Sequence, residues 1–549
     1  MTEPGPLPSG LTPWPAGLAE RYRAEGYWEG RTLGARLRDW ASRHPGRTAL
    51  VAGPDRLTYA ELDRRVDRMA AGIRERGIGA GDRVVVQLPN VAAFVVAFFA
   101  LVRAGAIPVL TLPAHRIAEV GALTRLSEAV AYLTVDWHAG FDYRPLAAAV
   151  LAAAPSLRDV LIVGDAGPYT PLAEVDAEPV DLAEPDPAEI ALLLISGGTT
   201  GVPKLIPRTH DDYGYNARAS SAVCGLTAES VYLGALPIAH NFALACPGVL
   251  GTLGVGGRVV LSPSAAPDDA FPLVEAERVT MTAVVPPLLP VWLDAAQWNP
   301  ADLSSLTLLQ VGGSKLSAEV ARAVPAGLGC AVQQVYGMAE GLLNYTRAED
   351  DARTVATTQG RPLCAADELR IVDGNGADGD GADVVPGTVG QLLVRGPYTV
   401  RGYYRACEHN LRAFTADGYY RTGDLVRALP SGHLIVEGRV KDTIDRGGES
   451  VSAEEVEGYV GAHPAVLRCA AFGLAGGSQG ERICVIVVPA GEPPTLHELR
   501  SFLTARGVAA FKLPDRIETA TDLPLTAVGK VDKRALVREY GPSDPGPPS

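Results

Sequence analysis

Apolar positions recur along this chain with two different periods. Thr58-Tyr59-Ala60-Glu61 has the form of a capping box, and after it Leu62, Val66, Met69, Ala70 and Ile73 fall on one face of a helix. Shorter unbroken apolar runs at 84–86, 107–112, 160–163, 191–195, 258–261, 282–285 and 307–311 predict buried strands. Helices are predicted between several of them: from Val91 to 102, at 267–277 and at 318–324. This alternation predicts an α/β fold, a large N-terminal region of mainly parallel sheets covered by helices on both faces.

The pattern changes twice toward the C-terminus. Over residues 360–405, glycine-spaced alternating segments at 368–372 and 390–395 predict a small antiparallel barrel or sheet, with 373–386 as an exposed loop. Beyond Gly438 come a hairpin, a helix at 453–460, strands at 467–472 and 484–488, and a helix at 496–506, the pattern of a compact α+β domain. A boundary is therefore expected near Lys441, between a large domain 1–438 and a small domain 439–549. Residues 1–45, with Trp14, Tyr22, Tyr27 and Trp28, read as an arm laid over the body, and 541–549 as a disordered tail.

Composition narrows the class. The chain has 549 residues, 47% hydrophobic and 20% charged, enough for a soluble protein with more than one core. A net charge of -14 argues against nucleic acid or an anionic membrane as partner. The seven cysteines are scattered without a Cys-x-x-Cys pair, so neither a zinc site nor a disulfide framework is indicated, which fits a reducing cytoplasm. The N-terminus lacks the apolar core of a signal peptide, and the 91–102 run falls short of the roughly 20 residues that span a bilayer. Only six of the 49 basic residues are lysines: Lys204, Lys315, Lys441, Lys512, Lys530 and Lys533. Lysines this scarce are expected where a compact ammonium is needed, Lys315 and Lys533 excepted.

The chemistry begins at Ser196-Gly197-Gly198-Thr199-Thr200-Gly201-Val202-Pro203-Lys204, directly after the apolar run 191–195. Glycines let backbone N–H groups approach a ligand, and three hydroxyls and an ammonium add donors, so the stretch reads as a phosphate cradle. It is not a Walker A loop, because Lys204 stands three residues after Gly201 with Pro203 between. Further along lie Tyr336-Gly337-Met338-Ala339-Glu340, Tyr420-Arg421-Thr422-Gly423-Asp424, Gly438-Arg439-Val440-Lys441-Asp442 and Pro524-Leu525-Thr526-Ala527-Val528-Gly529-Lys530.

In this order, over about residues 30–540, the set resembles the adenylate-forming superfamily of acyl-CoA synthetases, luciferases and nonribosomal peptide adenylation domains. The resemblance implies that Ser196, Gly197, Gly198, Thr199, Thr200, Gly201 and Lys204 hold the ATP phosphates. It places Gly313, Val335, Tyr336 and Gly337 at the adenine, Glu340 on Mg²⁺, Asp424 at the ribose with Arg439 beside it, Lys441 at a hinge, and Lys530 as the catalytic lysine on a mobile C-terminal lid. Met338, where the family often has threonine, departs from the pattern and leaves Glu340 in place.

A narrower likeness lies in Leu236-Pro237-Ile238-Ala239-His240-Asn241-Phe242, in 248–253, and in Trp14-Pro15, Arg21-Tyr22-Arg23 and Gly26-Tyr27-Trp28. These resemble the stand-alone aryl-acid adenylating enzymes of siderophore pathways. Amino-acid-activating relatives carry an aspartate where Asn241 stands, to pair an α-ammonium; a neutral amide instead suits a ring hydroxyl. The resemblance puts His240, Asn241, Phe242, Cys246, Gly312 and Leu343 around the acid, with His240 near the reacting carboxylate. Cys246 and Leu343 are implied for salicylate, where 2,3-dihydroxybenzoate enzymes tend to have Ser and Val. A thiol is a poor partner for a 3-hydroxyl, and leucine is bulkier than valine. Adenylation needs no Cys246 nucleophile. An aryl carrier protein is expected in trans, because no carrier domain follows Lys530 and Gly476-Gly477-Ser478 lies inside the small domain. Activity on 2,3-dihydroxybenzoate or another substituted acid such as a hydroxypicolinate, and an aromatic-acid CoA ligase, stay open as alternatives. A P-loop phosphotransferase or a non-catalytic nucleotide-binding protein conflicts with the combined Lys530, Asp424 and Arg439.

Overall fold

The computed structural model describes residues 10–196, 204–286, 288–313, 316–373, 381–439, 443–446, 449–475, 480–524, 531 and 533–541. The described chain divides into two compact units, one of residues up to 113, 123–196 and 204–438, the other of 114–122 and the residues from 439 onward. Residues 374–380 of the predicted loop, Gly476-Gly477-Ser478, Lys315 and the tail 542–549 lie outside the described residues.

The first unit is built on two large sheets. The nine-stranded sheet runs Arg361–Pro362, Leu343–Tyr345, Ala331–Gly337, Leu308–Gly312, Met281–Val284, Val231–Gly234, Arg258–Leu261, Thr48–Ala52, Asp55–Thr58. Its interior pairs are parallel and its two edges antiparallel. The seven-stranded sheet runs Leu205–Thr209, Ile190–Ile195, Ile107–Leu110, Arg83–Gln87, Ala131–Val135, Asp159–Val163, Thr170–Pro171, with only its first pair antiparallel. Strands that lie between helical layers are buried on both faces, which is why they read as unbroken apolar runs. The smaller antiparallel element expected at 360–405 is a four-stranded sheet, Glu368–Val372, Gly390–Arg395, Tyr420–Ala428 and Leu434–Arg439.

Local sequence accounts for the helices. Thr58 and Glu61 form the capping box of Tyr59–Glu75, whose apolar face is buried. Helix Ala92–Arg103 is buried all round, so it shows no polar face. Its one charge, Arg103, is matched by Asp63 at 2.6 Å and Asp67 at 2.7 Å. The arm is held by aromatic edges: Trp14 on Trp28 (5.1 Å), Tyr22 on Trp28 (5.2 Å) and Tyr27 on Tyr215 (5.2 Å). The Trp28 indole N–H donates to the Pro397 carbonyl at 2.8 Å, so the ring has its polar partner although buried.

Two elements beside the phosphate-loop stretch depart from the pattern-based expectation. Leu205–Thr209 is an edge strand that contains Pro207 and Arg208, and proline is tolerated there because an edge position needs fewer ladder bonds. His210–Val223 is a helix with a Thr209–Asp212 capping box, and it buries polar residues, among them Asp212, Tyr213 and Asn216. Its polar face turns inward, so no amphipathic stripe marks it.

In the second unit, strand Glu481–Pro489 pairs with Val466–Ala475 and Arg516–Thr519. Its alternation is strict: Ile483, Val485 and Val487 pack with residues of the helices Ala453–Gly461 and Leu496–Ala505, while Cys484, Ile486 and Val488 pack with Leu536 on the other face. Lys512 pairs with Glu455 at 2.6 Å and Lys533 with Glu457 at 2.7 Å. Lys512 therefore has a structural partner, which its scarcity alone did not reveal. Among the described residues no helix is long and apolar enough to cross a membrane.

Candidate functional site

Parallel strands expose ligand-binding turns at their carboxyl ends. In the nine-stranded sheet those ends deliver 235–241 after Val231–Gly234, Gly312 and Gly313 after Leu308–Gly312, and Tyr336 and Gly337 at the end of Ala331–Gly337. Gly313 has φ +96°, a left-handed conformation that disfavours any side chain. A Cβ on Gly312 would lie 2.6 Å from the Val335 carbonyl and 3.2 Å from the Phe242 ring, so glycine here makes room for Phe242.

The glycine-rich loop leaves strand Ile190–Ile195 and returns into Leu205–Thr209. Its two ends are joined, Ser196 N donating to the Lys204 carbonyl at 2.9 Å and Lys204 N to Ser196 Oγ at 3.4 Å. Gly197, Gly198, Thr199, Thr200 and Gly201 lie outside the described residues, as do Lys441 and Lys530. Arg439 is described as the last residue of strand Leu434–Arg439.

Lys204 stands with its Nζ 5.9 Å from the centre of the Tyr403 ring. The Tyr403 hydroxyl donates to Glu340 Oε1 at 2.7 Å and lies 3.0 Å from the Tyr420 hydroxyl. Burial keeps that phenol protonated far above its ordinary range, so it remains a donor. The backbone after Glu340 is strained, with Gly341 at φ +107° and Leu342 at φ +89°. Val400 N donates to the Glu340 carbonyl at 2.8 Å and fixes the turn from the other side. A single held carboxylate suits Mg²⁺, which keeps water and phosphate ligands and needs no protein cage. Among the described residues no cluster of three His, Cys, Asp or Glu could hold a metal.

Tyr336 and Asp424, assigned separately to base and ribose, are in contact: the phenol donates to Asp424 Oδ2 at 2.6 Å. Asp424 is buried, and its own N–H donates to Thr422 Oγ1 at 3.1 Å.

The third group surrounds Asn241. His240 caps the short helix Asn241–Ala245, its Nδ1 accepting from Phe242 N at 3.3 Å. The His240 ring reaches solvent, yet protein surrounds it on most sides, and that desolvation holds its pKa below the usual imidazole value. A neutral ring at neutral pH follows. Asn241 Oδ1 accepts from the Tyr213 hydroxyl at 2.9 Å, while its Nδ2 lies 3.4 Å from Cys246 Sγ. The hydrogen-bond network thus fixes which way the amide faces. Asn216 Nδ2 donates to the Ala245 carbonyl at 2.7 Å and supports the same turn. Cys246 is fully buried, and burial pushes its thiol up to about 12, so it is no thiolate nucleophile. Leu343, opposite Gly337 in the sheet, covers that glycine closely enough that a Cβ there would meet Leu343 Cδ2 at 2.4 Å. The Leu343 N–H donates to the Tyr398 hydroxyl at 3.0 Å, which in turn donates to Asp367 Oδ2 at 2.7 Å.

Tyr213, Asn216, Tyr398 and Tyr403 escaped the sequence reading. The Thr209-x-x-Asp212 box could have located the helix that carries the first two. The two tyrosines at 398 and 403 have no local signal.

The sequence matches the AMP-binding enzyme family over residues 37–404 and the AMP-binding enzyme C-terminal domain over 455–530. It is 53% identical over 527 residues to a 2,3-dihydroxybenzoate-AMP ligase of Bacillus subtilis, covering 96% of this chain and 97% of that one. It is 52% identical over 542 residues to a salicyl-AMP ligase / salicyl-S-ArCP synthetase of Mycobacterium tuberculosis, covering 97% and 95%. Among solved structures, the apo structure of MbtA from Mycobacterium smegmatis is 50% identical with a TM-score of 0.75, covering 97% of this chain and 99% of that one. The amide bond synthetase McbA of Marinactinospora thermotolerans superposes with a TM-score of 0.82 at 25% identity, covering 93% and 100%. Matched across both of its parts, with close relatives along nearly its whole length, the chain belongs to the AMP-binding enzyme family.

Proposed function

We propose that this enzyme activates salicylate with ATP, releasing pyrophosphate, and passes the salicyl group from salicyl-AMP to the pantetheine thiol of an aryl carrier protein supplied in trans. The observation that carries the choice of acid is the surroundings of Asn241. Tyr213 occupies its oxygen, so the amide nitrogen is presented on the Cys246 side and can donate to a ring hydroxyl ortho to the carboxylate. A 3-hydroxyl would meet Cys246 and Leu343, which offer it no good partner. Identity to the two AMP ligases is nearly equal and does not decide between the acids.

In the proposed reaction a carboxylate oxygen attacks the α-phosphorus and pyrophosphate leaves in line. Charge builds on the phosphoryl oxygens and has to be met by fixed donors. Ser196 to Lys204 grip the departing phosphates, and Lys204 is steadied at the Tyr403 face. Glu340 would hold Mg²⁺, which when bound neutralises phosphate charge. Gly313, Val335, Tyr336 and Gly337 receive the adenine, and Asp424, oriented by Tyr336, receives the ribose hydroxyls; Arg439 would act beside it. Phe242 and Gly312 shape the acid pocket, and neutral His240 lies near the reacting carboxylate. Lys530, about ninety residues past a hinge at Lys441, supplies the remaining cation as the small domain 439–549 closes over the large domain 1–438. Closure of this kind keeps water from the acyl-adenylate. In the second half-reaction the pantetheine thiolate attacks the acyl carbon and AMP leaves. Free cysteines throughout the chain fit a cytoplasmic setting.

Incubation with ATP, salicylate and a phosphopantetheinylated aryl carrier, read by intact mass, tests the proposal. A salicyl adduct on the carrier, lost in Lys530→Ala, is expected. Transfer to CoA in preference to the carrier would contradict it and favour the CoA-ligase alternative.

A further inference from the structure

Arg208 has a fully buried side chain, four residues beyond Lys204 on the strand that leaves the phosphate loop. All three of its nitrogens are used. Nε donates to Asp212 Oδ1 at 2.7 Å, Nη1 to the Ala339 carbonyl at 2.8 Å and Nη2 to the Tyr398 carbonyl at 3.1 Å. The guanidinium also lies over the Tyr213 ring, 4.9 Å from its centre.

Each partner leads to a different part of the site. Ala339 directly precedes Glu340. Tyr398 donates onward to Asp367 and receives the Leu343 N–H. Asp212 caps its helix by accepting from Thr209 N at 2.7 Å, and the next residue, Tyr213, holds Asn241. A buried ion pair with no exposed surface on either side is weak as a source of stability, because desolvation offsets most of the attraction. Its planar fork does have a use that an apolar side chain lacks: it fixes three acceptors at set angles.

We infer that Arg208 is a positioning residue that sets the acid-contacting Asn241 and the magnesium-binding Glu340 in register with each other. The inference rests on the proposed roles of those two residues. A lysine at 208 keeps the charge but cannot serve the three acceptors together.

The test is steady-state pyrophosphate exchange by Arg208→Lys, with salicylate and Mg²⁺ varied separately and circular dichroism and thermal melting as fold controls. Loss of one or two such bonds predicts that both the KM for salicylate and the Mg²⁺ needed for half-maximal rate rise about fivefold in a folded protein. A fall in kcat with both parameters unchanged would make Arg208 merely structural and overturn the inference. Tyr213→Phe keeps the stacked ring and cuts only the bond to Asn241, so it serves even if Arg208→Lys does not fold. It should raise the salicylate KM about fivefold and leave the Mg²⁺ requirement unchanged, and an unchanged salicylate KM there also overturns the inference. Asn241→Ala and Glu340→Gln run in parallel: if the first leaves the acid KM and the second the Mg²⁺ requirement unmoved, the site reading itself fails and the inference falls with it. If they respond and the position 208 and 213 variants do not, only the inference fails.

Discussion

Tyr336 donates its phenolic proton to Asp424 at 2.6 Å, joining the carboxyl end of a strand in the nine-stranded sheet to a strand of the four-stranded sheet. The bond aims a buried carboxylate. Tyr336→Phe keeps the ring and loses the aim, so with Asp424 in its proposed role at the ribose the KM for ATP should rise about three- to tenfold with kcat little changed. Titration of ATP at saturating acid checks this, and an unchanged KM would separate Asp424 from nucleotide binding.

Tyr403 stands between a cation and a carboxylate. Its hydroxyl holds Glu340 while its face meets Lys204. Tyr403→Phe preserves the face and removes the hydroxyl. The Mg²⁺ concentration for half-maximal exchange should increase about tenfold or more, the worth of one hydrogen bond to a charged group, and a magnesium titration reads it directly.

The pocket chemistry predicts a change of preference. Cys246→Ser gives a 3-hydroxyl a partner, and Leu343→Val gives it room. Because an unpaired buried hydroxyl costs about 1–3 kcal/mol, the double variant should shift the ratio of kcat/KM for 2,3-dihydroxybenzoate over salicylate by about ten- to a hundredfold. An unmoved ratio would mean that these side chains do not face the ring.

Asp367 links pH to stability. Burial raises its carboxyl to about 7, against the lowering effect of bonds from Tyr398 and the Cys364 N–H. Oδ1 is buried and has no hydrogen-bond partner among the described residues. The folded pKa lies above the ordinary value of 3.8, so the folded state favours the protonated acid. Its contribution is complete below about pH 4 and is lost as pH rises toward 7, a change on the order of a few kcal/mol at most. Asp367→Asn should therefore gain in melting temperature relative to the parent between pH 5 and pH 8. A constant difference across that range would contradict the assignment.

Where information was local, the sequence could be read closely. The capping box at Thr58, helix Pro267–Glu277 and the strands Arg258–Leu261, Glu368–Val372 and Gly390–Arg395 follow from neighbours a few residues apart. The site residues were legible only as separate motifs. The bonds that assemble them span long stretches of chain: 28 residues for Tyr213 to Asn241, 63 for Tyr403 to Glu340 and 88 for Tyr336 to Asp424. Helix His210–Val223 stayed hidden because its polar residues face partners inside the protein, Asp212 on Arg208 and Asn216 on the Ala245 carbonyl. Hydrophobic periodicity reports burial of apolar groups and is blind to a buried polar network.

In the proposed function, Asn241, Cys246 and Leu343 select salicylate for activation by ATP. Acid-dependent exchange of pyrophosphate into ATP, run with salicylate, 2,3-dihydroxybenzoate, benzoate and a hydroxypicolinate, tests it most directly. Salicylate should give the highest kcat/KM, with 2,3-dihydroxybenzoate about ten- to a hundredfold lower. Faster exchange with 2,3-dihydroxybenzoate than with salicylate, or formation of ADP in place of AMP, would contradict the account.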